Sequence, residues 1–140
     1  MSLYILDTDH ITLHRYGHPE VTARVHDTPA EQLAMTIISI EEQLTGWYTQ
    51  IRKSRDLETL ARAYEGLFQV VESATRIRVI PFSRPALGRY RELRNRLPRL
   101  GKLDLSIAAI ALEHEAILVT RNRRDFEQVS GLPIEDWSQP

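Results

Sequence analysis

A three-layer α/β/α fold around a mostly parallel sheet is predicted by three observations. Short apolar runs at residues 3–6, 33–38, 76–80 and 117–120 alternate with longer stretches of helical periodicity, the order expected of parallel strands joined by right-handed crossovers. The first run ends in Asp7-Thr8-Asp9 and the second leads toward Glu41-Glu42, so acids lie beyond strand carboxyl ends, where open α/β sheets bind ligands. No internal repeat or low-complexity tract breaks the pattern.

Leu3-Tyr4-Ile5-Leu6 reads as a buried first strand delivering Asp7 at its carboxyl end. Residues 11–16 and 21–25 predict two short helices punctuated by Gly17-His18-Pro19. Residues 33–38 predict a second strand, with Ser39 as the cap of a helix that carries Glu41 and Glu42. From Asp56 to Ser73, apolar residues at 57, 60, 61, 64, 67, 68 and 71 keep the three-and-four spacing of an amphipathic helix. Arg76 to Ile80 makes a third strand stopped by Pro81, and Arg84 to Leu97 a basic helix stopped by Pro98. Asp104 enters an alanine-rich helix over residues 105–114, Ile117 to Thr120 forms a fourth strand, and Leu132-Pro133-Ile134 adds a short edge strand, where proline is tolerated.

The 140 residues, 42% of them hydrophobic, suit one domain over 1–140 with a substantial core. Without cysteine there are no disulfides and no thiolate metal sites, so a metal must sit on oxygen or histidine. No apolar stretch is long enough to span a bilayer, and Asp7 and Asp9 interrupt the place a signal peptide would need, so a cytoplasmic protein without membrane association is expected. A net charge of -1 argues against a generally basic nucleic-acid binder, yet between Arg76 and Lys102 the only acid is Glu92. Arg84, Arg89, Arg91, Arg94, Arg96 and Arg99 in that interval could neutralise phosphates or solubilise an exposed helix face.

Asp7, Glu42, Asp104 and Asp125 fall at element ends far apart in sequence, which suggests one site. Magnesium and other hard divalent cations take carboxylate oxygens together with retained water, and a cleft of such acids would repel a phosphodiester unless a cation neutralised it. Thr8 and Ser39 could orient an acid or a water, or simply cap helices. His10 and His14 lie four apart on one helical face, but no His-Glu-x-x-His pattern and no third ligand accompany them, so ordinary surface or packing roles are expected for the histidines rather than zinc binding.

Four pieces in order then carry a family resemblance: Leu6-Asp7-Thr8-Asp9, the Ser39 to Gly46 segment with Glu42, Asp104-Leu105-Ser106-Ile107-Ala108-Ala109, and Leu118-Val119-Thr120-Arg121-Asn122 through Asp125-Phe126. Together they make the chain resemble PIN-domain ribonucleases of the VapC toxin type. The resemblance implies a PIN-like α/β/α domain that uses magnesium, or manganese, to cut RNA, often a structured RNA such as tRNA. It implies catalytic roles for Asp7, Glu42, Asp104 and Asp125, with Asp7 and Asp104 on the metal and Thr8, Ser39, Thr120 and Asn122 orienting them. Asn122 competes with Asp125 for the fourth acid position, and Asp9 stands where many relatives have asparagine. Arg89, Arg96, Arg121 and Arg123 become candidates for RNA phosphates. The implied partners are a small VapB-like antitoxin and a second copy in a homodimer. Two other readings stay open: a non-catalytic PIN-like scaffold for RNA or protein, and a magnesium-binding receiver-like domain. The receiver reading is weakened by Pro81-Phe82 at the end of the third strand, and nucleotide binding by the lack of a glycine-rich phosphate loop.

Overall fold

Five short segments pair side by side in the computed structural model, which describes residues 2–140. They are β1 (Tyr4–Leu6), β2 (Leu33–Thr36), β3 (Arg78–Ile80), β4 (Ile117–Val119) and β5 (Ile134–Glu135), in the order β3-β2-β1-β4-β5. Every neighbouring pair is parallel, with Ile5 opposite Ala34 on one side and Leu118 on the other. Parallel strands need crossovers, and seven helices supply them: α1 (Thr8–Arg15), α2 (Pro19–Asp27), α3 (Ile37–Lys53), α4 (Leu57–Arg76), α5 (Arg84–Arg96), α6 (Lys102–Glu113) and the short α7 (Arg123–Phe126).

Both faces of the sheet are buried, which is why its strands read as continuous apolar runs. Ile5, Ala34, Ile80 and Leu118 turn toward α5 and α6, where Ala86, Leu93, Leu105, Ala108, Ala109 and Ile110 pack. Leu6, Leu33, Met35 and Val119 turn the other way, against Ile11, Val21 and Trp137. Small residues along α6 let the middle of that helix lie inside, with residues 105–111 all buried. The three-layer α/β/α expectation is therefore met, and the sheet is parallel throughout.

Several boundaries differ from those the sequence suggests. The second strand ends at Thr36 rather than Ile38, because the Thr36 hydroxyl accepts the Ser39 amide at 3.2 Å and starts α3 there. Ser39 is thus inside the helix and is not its cap. Helix α4 runs on to Arg76, whose charge suits a helix C-terminus and which pairs with Glu72 one turn earlier at 3.6 Å. The third strand consequently begins at Arg78. At the sheet edge, Pro133 contributes only its carbonyl, to the Leu118 amide at 2.9 Å, and the strand proper is Ile134–Glu135. Among the described residues no helix is long and apolar enough to cross a membrane.

Candidate active site

Strands β1 and β4 lie side by side and end together, so the residues that follow them meet. The Asp7 amide donates to Val119 O at 2.9 Å, which fixes the backbone where β1 hands over to α1. Asp7 then caps α1: its Oδ1 accepts the Thr8 amide at 2.8 Å, and its Oδ2 accepts the Thr120 hydroxyl at 2.9 Å. The same Thr120 oxygen accepts the Asn122 amide at 3.0 Å, tying the loop after β4 to the carboxylate. Thr8 is fixed in turn, since its hydroxyl donates to Glu42 Oε1 at 2.8 Å and lies 3.0 Å from Ser39 Oγ.

Asp7, Thr8, Asp9, Thr12, Leu13, Glu42, Asp104, Arg121 and Asn122 line one open cavity of about 480 Å³ at the carboxyl ends of the strands. Three chain-distant acids reach it from β1, the second turn of α3 and the first turn of α6. Asp104 sits in the first turn of α6, where the helix dipole favours negative charge. Among the described residues, no lysine or arginine forms an ion pair with Asp7, Glu42 or Asp104.

Burial and that unbalanced charge together displace the acidity of two of these groups. Burial pushes Asp7 up from 3.8 to about 6, partly offset by the bonds from Thr8 and Thr120, while Asp9 and Glu42 add repulsion. Asp104 is also raised, first by burial and then by Asp125, Glu42 and Asp9. A cluster of oxygen donors whose charges repel one another suits a hard divalent cation in kind. The side chains nevertheless stand apart around an open mouth: among the described residues, no three His, Cys, Asp or Glu are gathered closely enough to grip an ion as they lie.

Other sequence-selected residues fall differently. Asn122 lines the cavity and caps α7, whereas Asp125 stands behind it, receiving the Asn122 amide group on Oδ2 at 3.1 Å and acting on Asp104 as a nearby charge. Glu41 is exposed and outside the cavity, so Glu42 is the glutamate of this helix that faces it. Of the four candidate arginines only Arg121 lines the mouth. Arg123 pairs with Glu127 at 3.6 Å, and Arg89 pairs with Glu113 at 2.9 Å. Arg89 and Arg96 border a separate cavity, shared with Glu92, Glu115 and Pro133, that no acid of this site touches. Charge density along α5 was legible in sequence; the direction of those side chains was not.

The sequence reading passed over Thr12 and Leu13, although Thr12 lies four residues after Thr8 and so on the same helical face. The histidines fall into ordinary roles: His18 accepts the Val21 amide as the cap of α2, His10 is fully buried, and His26 is exposed.

The PIN domain family model matches residues 4–132. Ribonuclease VapC1 of Haemophilus influenzae (strain R2866) is 29% identical over 143 residues, covering 98% of this chain and 99% of that protein. The tRNA(fMet)-specific endonuclease VapC of Salmonella typhimurium is 25% identical over 141 residues, with 98% and 99% covered. The crystal structure of DNA-bound VapBC from Salmonella typhimurium superimposes with a TM-score of 0.79 at 25% identity, covering 98% of this chain and 99% of that one.

Proposed function

The chain belongs to the PIN domain family, and from that premise we propose that it is a divalent-metal-dependent endoribonuclease and the toxin of a toxin-antitoxin pair. The observation that carries this reading is the meeting of Asp7, Glu42 and Asp104 around one open mouth with, among the described residues, no lysine or arginine ion-paired to them. The VapC relatives named ribonuclease and tRNA-specific endonuclease support RNA, with a structured RNA such as tRNA as the target class. Likeness to a VapBC complex supports a small VapB-like antitoxin as partner. The cation is magnesium, with manganese able to replace it, and the protein acts in the cytoplasm as a homodimer.

Asp7 and Asp104 would hold the cation, and a cation so held lowers the pKa of a bound water and neutralises a phosphodiester oxygen. Glu42, oriented by the Thr8 hydroxyl, is placed to accept a proton from an attacking water. Ser39 and Thr120 hold Thr8 and Asp7 in place, and Asp125 adds negative charge through Asn122. Arg121 at the mouth is the cation best placed to meet an RNA phosphate.

The test is cleavage of total RNA by the wild-type protein and by the Asp7→Asn, Asp104→Asn double variant, each with magnesium, manganese or chelator. Discrete products from the wild type alone, lost on chelation, are expected. Equal silence from both folded proteins would sink the nuclease reading and favour the non-catalytic scaffold.

A further inference from the structure

His10 is fully buried one residue beyond Asp9, and both of its ring nitrogens are engaged. Nε2 accepts the Trp137 backbone amide at 3.1 Å, and Nδ1 lies 3.3 Å from Asp9 Oδ1. A nitrogen that accepts an amide proton keeps its lone pair, so in the neutral ring the hydrogen sits on Nδ1 and is donated to Asp9. Asp136 Oδ1 also approaches Nε2, at 3.4 Å, but that oxygen is held by the Ser138 amide at 2.9 Å and the Ser138 hydroxyl at 2.6 Å.

Asp9, meanwhile, borders the same mouth as Asp7, Glu42 and Asp104. Its side chain is 42% exposed, and one of its two oxygens is turned to the imidazole. The result is a continuous chain of contacts: Trp137 backbone, His10 ring, Asp9 carboxylate, acidic mouth. The far end is itself anchored. Trp137 is 1% exposed, its indole N–H donates to Glu135 at 2.8 Å, Tyr4 packs against its ring, and Arg24 lies over it with the guanidinium 4.8 Å from the ring centroid. The PIN family match ends at residue 132, so this anchor lies beyond the matched stretch.

We infer that Asp9 is an additional cation-binding carboxylate of the site, and that His10, locked by the C-terminal segment through the Trp137 amide, is the positioning residue that aims it. The inference rests on the metal-dependent reading above and extends it to residues for which nothing in that reading assigns a role. Carboxylates and imidazoles that orient a ligand from behind typically change metal affinity about 10- to 100-fold when removed.

Two histidine substitutions separate aiming from mere packing. His10→Asn puts an amide N–H close to the position of Nδ1 and keeps the donor toward Asp9 while losing the acceptor for Trp137. His10→Gln puts its amide near Nε2, so it can meet Trp137 but leaves Asp9 without its donor. Manganese affinity of each purified protein is measured by calorimetry, and melting in chelator is recorded beside it. Asp9→Asn is expected to weaken manganese binding about tenfold with no loss of melting temperature in chelator. His10→Asn should melt lower yet bind manganese within about threefold of wild type, while His10→Gln should bind about tenfold more weakly. Asp9→Asn binding like wild type, in a series where Asp7→Asn loses binding, overturns the inference and leaves the metal-dependent reading standing. Equal binding by His10→Asn and His10→Gln overturns the positioning role. A wild-type protein that takes up no manganese overturns both readings.

Discussion

A carboxyl group buried without a cationic partner keeps its proton, and Asp7 is held at about 6 for that reason. Its unfolded reference is 3.8, so between these values the unfolded chain ionises while the folded chain does not. Folding stability contributed by the protonated group is therefore complete below pH 3.8 and is lost as pH rises through about 6, a penalty of about 3 kcal/mol at most in metal-free protein. Asp104, also raised, acts with the same sign. Asp7→Asn removes the ionisation, and its amide can still accept from Thr8 and face the Thr120 hydroxyl. In urea denaturation with chelator, Asp7→Asn should match wild type near pH 4 and exceed its stability increasingly up to pH 7; a gap that does not widen with pH would refute the buried-charge account. At this scale the sequence was a good guide to identity and a poor one to direction. Asp7, Glu42 and Asp104 were selectable because each falls just past a strand end or in the opening turns of a helix. Asn122 in front of Asp125, and Asp9 beside His10, depend on contacts across turns and across 127 residues that spacing does not encode.

Elements show the same division. The β1 run was readable because Asp7 stops it, but Ile37 and Ile38 prolong the apolar run of β2, and only the Thr36 cap reveals the change to helix. The four residues of α7 carry three charges and no periodicity, so nothing marked them. Closer packing is equally invisible: Gly66 in the middle of α4 lies against Trp47 of α3, and a Cβ at that position would overlap the indole. Alanine normally improves a helix interior by about 1 kcal/mol over glycine. Here the overlap involves a ring wedged between two helices, and overpacking of that kind costs about 1–3 kcal/mol. Gly66→Ala should therefore lower stability by about 1 kcal/mol or leave it flat in denaturant melts, while Gly88→Ala on α5, where an added Cβ meets nothing, should raise it. A stabilising Gly66→Ala would mean that the α3–α4 contact is looser than described.

Across the whole molecule, the acids at the mouth and the stability of the fold pull in opposite directions. The sheet gathers carboxylates from three chain-distant elements, and each gains in function what it costs in burial and repulsion; Asp7 and Asp104 carry that conflict in their raised pKa values. A cation bound only by the folded chain would reverse the sign, adding about 2.7 kcal/mol when present at a hundred times its dissociation constant. For a domain of this size each kcal/mol moves the melting temperature by roughly 3 °C, so saturating magnesium should raise it by roughly 8 °C at pH 7.5. Near pH 5 the rise should shrink, because Asp7 holds its proton there and a protonated carboxyl is a poor ligand. The Asp7→Asn, Asp104→Asn variant should show almost no rise at either pH, although it should be the more stable protein in chelator. Melting curves with and without magnesium at the two pH values decide the matter: a rise in the double variant equal to that of wild type would place the cation elsewhere on the molecule, and a rise independent of pH would remove Asp7 from its ligands.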